Sequence, residues 1–345
     1  MQKKAVSSID CFKMIFPAND PDAASAYAKM LLPVFEFEVP EIDSNKPFSS
    51  ETEVYCLPDV TVSRVKTTAA RLTRTVRTIA RSATDDILIV CYMSGHFTHR
   101  INAAPRRVEC GEFTVFDLPQ EAVIEAPFID NVSLAVSRRR LEAVVPLLDS
   151  AHGFVVPRGA LSTVLLATAE QVIALGPSLQ SSEARPVADA LILLVAAMLE
   201  AGTQPKPASG AAGRSVSLAV LKAAIERRLT DSSFGPQSLL DEFGMTRSTL
   251  YRAFEPLGGV SAYISERRLR YAFRQMTNPA QKDLRVSQLA FELGFSHASA
   301  FNRSFKALFG LTPKDIRTLA VRPEGEDLPF MVSPAALPYI HPIDP

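Results

Sequence analysis

Two stretches of this 345-residue chain carry polar and basic side chains of the kinds that read the edges of base pairs. In the first, Arg247, Ser248, Thr249, Tyr251 and Arg252 surround the apolar anchors Leu250 and Phe254. In the second, His297, Ala298, Ser299, Asn302 and Arg303 surround Phe301 and Phe305. An arginine donates two parallel hydrogen bonds to guanine, and an asparagine pairs with adenine in the same two-pronged way. Threonine and alanine touch a thymine methyl, and small residues let a helix come close.

Such side chains read DNA only if a helix presents them on one face. The windows Pro236–Phe254 and Val286–Phe305 repeat one plan at an offset of about 50 residues. A helix bearing Leu239 and Leu240, or Leu289 and Ala290, ends at Gly244 or Gly294, where glycine permits the left-handed backbone of a sharp turn. A hydroxyl residue two places on, Thr246 or Ser296, is expected to cap the next helix. Its apolar residues face inward, and its polar residues face outward at the spacing of a major-groove reader. Between the windows, Ser261 to Met276 predicts one helix with Arg267, Arg268, Arg270 and Arg274 on its polar side and Ile264, Leu269, Tyr271 and Phe273 on its apolar side. A rigid rod there would set both readers in adjacent grooves about 34 Å apart. The plainer alternative, packed helices with solvated arginines, explains one window better than two joined by a basic rod.

Charge supports the same division. The chain is neutral overall, with 37 basic and 37 acidic residues. From 214 to 322 it holds 17 Lys and Arg against 9 Asp and Glu, leaving 20 basic and 28 acidic elsewhere. A basic segment joined to an acidic one suggests that one part meets a polyanion. Residues 201–213, rich in Gly, Pro, Ala and Ser, read as a linker. The sequence therefore predicts an acidic domain over 1–200, a DNA-binding domain over 214–322 and a proline-rich tail over 323–345.

Ahead of the linker, short β-branched and aromatic runs at Val60–Val65, Ile87–Tyr92, Phe113–Phe116 and Val132–Val136 predict a small antiparallel barrel or sandwich. From Ser137 the period turns helical, through Leu141, Val144, Val145 and Leu148, then over 161–174 and 182–201. The last helix is apolar nearly all round from Leu191 to Leu199 and belongs in a core or a subunit contact. The fold class is α+β: a β-barrel or sandwich with helices, then an all-α domain with two helix-turn-helix units. The longest strongly apolar run, 190–199, is half of what a membrane span needs, so no membrane partner is expected. No apolar signal segment follows Met1, and four scattered cysteines suggest reduced thiols, so a cytoplasmic location is expected.

Other chemistry is sparse. His96 and His99 stand three apart, which on a strand sends them to opposite faces, so no metal site and no cofactor are expected. The chain lacks a nucleophile elbow, a phosphate loop and a dinucleotide fingerprint, so it does not read as an enzyme. A cupin-like metal enzyme fused to a DNA-binding domain is the alternative, and a non-specific architectural protein a third. Arg138-Arg139-Arg140 reads as the solvated start of a helix, with a DNA-backbone contact conceivable.

Residues 216–320 resemble the DNA-binding domain of the AraC/XylS family of bacterial transcription factors. The second window carries the likeness best, with Gly294-Phe295-Ser296, Phe301, Arg303, Phe305, Phe309-Gly310, Thr312-Pro313 and Ile316-Arg317. The resemblance implies base contacts by Ser248, Tyr251 and Arg252 in the first unit and by Ala298, Ser299, Asn302 and Arg303 in the second. It further implies a regulator, more often an activator, with double-stranded promoter DNA and RNA polymerase as partners. Val132–Leu141 and Val155–Gly159 resemble, more weakly, sensory domains found in that family, which implies that 1–200 is an effector-sensing or dimerisation domain, with a small-molecule effector, a homodimer, or both.

Overall fold

The computed structural model describes residues 9–32, 34–40, 47–82, 84–101, 104–142, 144–145, 148, 151–203, 218–277, 281, 284–320 and 339–343. These form two compact units, one built of sheets with flanking helices and one of helices alone. The predicted linker lies almost wholly outside the described residues.

The first unit opens with β1 (Asp10–Phe16), α1 (Ala23–Leu31), β2 (Glu36–Glu38), β3 (Ser50–Leu57), β4 (Val60–Thr67), β5 (Ala70–Arg74) and α2 (Val76–Ser82). It continues with β6 (Ile87–Tyr92), β7 (His96–Ile101), β8 (Ala104–Glu109), β9 (Phe113–Asp117), β10 (Ala122–Ala126) and β11 (Ile129–Val136). Then come α3 (Arg138–Glu142), β12 (Val155–Val156), α4 (Ala160–Leu175), α5 (Ser181–Thr203) and, from the far end of the chain, β13 (Ile340–Pro342). All strand pairs are antiparallel. One sheet runs β12-β9-β6-β11-β4-β3-β1-β13 and the other β2-β5-β10-β7-β8. The two sheets do not close into a barrel, so of the two predicted forms the sandwich is the nearer.

Local chemistry sets the joints. Leu57 pairs with Val60, so Pro58 and Asp59 make a two-residue turn, in which Asp59 takes φ 66°. Proline presets the first turn position, and an aspartate tolerates the left-handed second. The Asp59 carboxylate then gathers Arg185 at 2.6 Å, Arg139 at 3.6 Å and Arg140 at 3.8 Å. The Arg185 hydrogen bond holds that carboxyl below its usual range.

Every residue of β11 except Asp130 is buried, so the strand is covered on both faces. One face meets an inter-sheet core of Val65, Val90, Phe97, Phe116, Ile124 and Ile129. The other meets α4, which also packs on β3 and β4 through the buried Leu165, Ala169 and Val172. By length and composition alone this helix is apolar enough to cross a membrane; here its buried side is spent on the sheet. Leu191, Ile192, Val195, Met198 and Leu199 of α5 are likewise buried within this chain.

Two expectations need correction. The Arg138 side chain is not solvated: it is 3% exposed, bonds the carboxylate of Asp117, and donates to the Asp85 carbonyl at 3.0 Å. Asp117 lies on β9, distant in sequence, so no local pattern announced the pair. The end of the predicted tail is also a strand. Ile340, His341 and Pro342 pair with Met14, Lys13 and Phe12, and Tyr339 stacks on Phe16 with ring centroids 4.5 Å apart. The chain terminus thus covers the otherwise open edge of β1 and satisfies its free backbone groups.

Candidate nucleic-acid interface

The second unit consists of α6 (Leu218–Arg227), α7 (Pro236–Phe243), α8 (Arg247–Phe254), α9 (Val260–Thr277), α10 (Val286–Glu292), α11 (Ala298–Phe309) and α12 (Pro313–Ala320). Pro236 occupies the first turn of α7, where its missing N–H costs nothing, and the Ser238 hydroxyl accepts from the Gly235 amide at 3.2 Å. Gly244 ends α7 at φ 59°. Thr246 then caps α8, accepting from the Thr249 amide at 3.3 Å. Leu250 and Phe254 point from α8 into a core with Leu221, Ile225, Leu239 and Ile264.

The second helix pair follows the plan with one change. Gly294 turns the chain at φ 78°, but α11 is preceded by His297 rather than Ser296, and no side chain caps it. The expected Ser296 cap is therefore absent, because the chain stays extended one residue longer. Phe301, Phe305 and Phe309 face inward, and Phe273 of α9 meets Phe309 at 4.9 Å between ring centroids.

The arginines of α9 do not form a solvated face. Arg267 makes a two-pronged pair with Glu226 at 2.6 and 3.3 Å, both side chains under 10% exposed. Arg268 donates to three backbone carbonyls, those of Leu229 at 3.1 Å, Asp231 at 2.7 Å and Phe234 at 2.9 Å. Its burial pushes the guanidinium below its ordinary range. A Cβ on Gly294 would stand 3.0 Å from Arg268 Nη1 and 3.0 Å from the Ser232 carbonyl oxygen. One buried arginine therefore ties the loop before α7 to the rod and lies against the turn before α11. The Arg270 guanidinium reaches Glu266 at 2.9 Å, and that of Arg274 lies over the Tyr271 ring at 5.7 Å. Sequence reasoning put these four arginines toward solvent because a loop folding over a helix leaves no trace in that helix's period.

The expected reading residues are placed differently. Arg247, Ser248, Tyr251 and Arg252 are exposed on α8, with Thr249 half-buried beside the cap. Ser299, Asn302 and Arg303 are exposed on α11, His297 is exposed just ahead of it, and Ala298 is half-buried. Among the described residues, Arg247, Arg252 and Arg303 have no acidic or hydrogen-bonding partner. Each reading helix thus offers solvent an unspent guanidinium, while the brace consumes its own.

Residues 239–318 match the family description of a helix-turn-helix domain. Over 78 residues the chain is 41% identical to the HTH-type transcriptional regulator ExsA of Pseudomonas aeruginosa, a stretch covering 22% of this chain and 27% of that protein. The helical unit resembles the DNA-binding domain of the AraC/XylS family. The transcriptional activator RhrA of Rhizobium meliloti is 30% identical over 104 residues, 30% of this chain and 33% of that one. The chain thus spans a third or less of the length of these curated relatives. The crystal structure of the AraC-like transcriptional activator CuxR superposes with a TM-score of 0.51 at 20% identity, covering 76% of this chain and 94% of that one. That likeness is one of fold, and it takes in sheets as well as the AraC/XylS-type helices.

His96 is half-exposed and His99 is 2% exposed, and among the described residues no three His, Cys, Asp or Glu side chains stand close enough to hold a metal. Burial pushes the Cys11 and Cys56 thiols up to about 11 and that of Cys91 to about 12, away from the range of a reactive thiolate. His152 accepts from the Asp117 amide at 3.0 Å through Nδ1, which leaves Nε2 to donate to the Glu121 carbonyl at 3.0 Å.

His99 is less well served, since neither ring nitrogen has a partner. Burial, and then the charges of His152 and Arg106, hold it down to about 4, so it is neutral at pH 7. The unfolded chain takes up the proton near pH 6.5, so between pH 6.5 and 4 the unfolded state binds more protons. Stability of the sheet unit is therefore full above pH 6.5 and falls as the pH drops toward 4, by up to ~3 kcal/mol. Urea unfolding of wild type and His99→Leu at pH 7 and 4.5 checks this. The wild type is expected to lose stability over that span and the variant to lose much less; equal losses would refute the assignment to His99.

Proposed function

We propose that this chain is a sequence-specific DNA-binding regulator of transcription, an activator, controlled by a small molecule bound to its sheet unit. The carrying observation is the pair of helices, α8 and α11, that each present at least one unpartnered arginine. Free guanidiniums beside Ser248, Tyr251, Ser299 and Asn302 suit base edges and phosphates together. The names of ExsA and RhrA support regulation, and that of RhrA activation. In this reading residues 1–200 sense the effector, 201–213 link, 214–322 bind promoter DNA and 323–345 extend beyond. Arg247, Ser248, Thr249, Tyr251 and Arg252 meet one major groove; His297, Ala298, Ser299, Asn302 and Arg303 meet the next. RNA polymerase is the partner of an activator, and the cytoplasm its place of work.

Selection of bound sites from random duplexes, followed by footprinting, tests the reading; a footprint without a preferred sequence would favour an architectural role. Arg303→Ala is expected to cost about 1–3 kcal/mol on the selected site. An equal loss on random DNA would make Arg303 a phosphate contact only.

The reading includes a homodimer. Most of Leu191–Leu199, the segment first suited to a subunit contact, lies in the chain's own core, with Leu193 left 61% exposed. Leu161, Val164 and Leu175 are exposed on α4, with Val164 at 50%. Sedimentation is expected to show a dimer that Val164→Lys weakens; an unchanged dimer would place the contact elsewhere.

A further inference from the structure

We infer that the sheet unit's effector is an uncharged, mainly apolar small molecule bearing one hydroxyl or carbonyl group, held between the two sheets with that group at Asn131. The inference rests on the reading that this unit senses a small molecule.

A cavity of about 80 Å³ lies between the inner faces of the sheets, with α1 contributing Tyr27 and Leu31. Its walls include Leu72, Phe97 and Ile124 from the smaller sheet and Leu88, Val90 and Phe116 from the larger. None of the residues lining it carries a charge. Among the described residues, the one buried cation of this unit with no carboxylate in hydrogen-bonding reach, Arg74, is not in the wall; it donates to the carbonyls of Leu118 and Val34 and to Ser82 Oγ. A carboxylate or phosphate in the cavity would be stripped of water with no counter-charge to replace it.

The polarity that is present is neutral, and beside Tyr27 and Tyr92 it gathers on β11 and β4. Asn131 and Ser133 are alternate residues of β11, and Ser63 stands opposite Ser133 on β4. Asn131 is 8% exposed; its amide hydrogen-bonds with the Tyr92 side chain, and its Oδ1 is buried with no hydrogen-bond donor. An amide oxygen left unpaired on a buried strand face, between Ile129 and Ser133, weakens the fold, and a valine or leucine there would not. A ligand hydroxyl repairs that deficit; by turning over, the same amide donates instead to a ligand carbonyl. The volume is about half the ~150 Å³ that accepts a benzene ring. A ligand of ring size therefore enters as the sheets part, which links occupancy to a change in their packing.

The test uses the full chain at pH 7, with 1-butanol and benzyl alcohol as neutral probes and butyrate and benzoate as their anions. Calorimetry is expected to show both alcohols raising the unfolding temperature of the sheet unit while neither anion does. Asn131→Leu is expected to weaken benzyl alcohol about tenfold relative to toluene. Ala135→Leu, which fills the cavity, is expected to abolish binding of all probes and stands in should Asn131→Leu not fold. Anions binding as tightly as the alcohols, or no binding by either alcohol, would overturn the inference. Affinity for the selected DNA site, measured without probes, separates the two readings: its absence sinks the regulator, and its presence with no probe binding sinks only the ligand class.

Discussion

Replacing Asp117 by alanine is expected to destabilise the sheet unit by about 3–5 kcal/mol. The carboxylate is 1% exposed and the Arg138 guanidinium that it meets is 3% exposed. Removing the anion leaves a cation in a site closed to water. Arg138 keeps the Asp85 carbonyl and Glu142 at 3.0 Å, which places the loss toward the lower end of that range. Asp117 also accepts from Gln120 Nε2 at 2.6 Å, so a second polar group loses one of its hydrogen bonds. For a domain whose whole stability is typically 5–15 kcal/mol, such a loss is a large fraction. Denaturant unfolding of Asp117→Ala, Arg138→Met and the double variant measures it. The double variant should recover most of the deficit, because an apolar pair of similar volume needs no counter-charge. A double variant as unstable as Asp117→Ala would show that packing, not charge, is what Asp117 supplies.

The second large effect is expected at Phe305, where alanine should cost the helical unit about 3–5 kcal/mol. The ring is fully buried, stacks with Phe273 of the rod at 6.2 Å between centroids, and meets Phe301 and Phe309 at a tilt at 5.5 and 4.6 Å. Truncation opens a cavity beneath α11 and frees the helix that carries Asn302 and Arg303. Calorimetry of the full chain should show the helical unit's transition falling while that of the sheet unit stays in place. Affinity for the selected DNA should fall with it, although Phe305 faces away from the polar side. Phe305→Leu, which keeps most of the volume, should restore most of both. A loss of affinity with the helical transition unmoved would mean that Phe305 touches DNA itself.

The helix pairs were legible because their signals are local. Glycine at 244 and 294, proline at 236 and apolar residues three and four apart act within one or two turns of backbone. The central strands were legible for the same reason, since β-branched runs bounded by turn residues specify themselves. Edge strands were not. β1 and β13 lie at opposite ends of the chain, and nothing near either one names its partner.

The amino-acid sequence by itself thus determined the two reading helices, the residues on their outer faces and the α+β character of the whole. Only the tertiary structure decided which arginines are free. Arg267 and Arg268 look like Arg247 and Arg303 along the chain, and they differ because Glu226 and the carbonyls of residues 229, 231 and 234 fold over them. The cavity at Asn131 is likewise a tertiary product, with walls drawn from strands spread over 63–135 and from α1. A helix's period records which side is apolar; whether a polar group is spent or available depends on what distant chain is laid across it, and that is settled when the core closes.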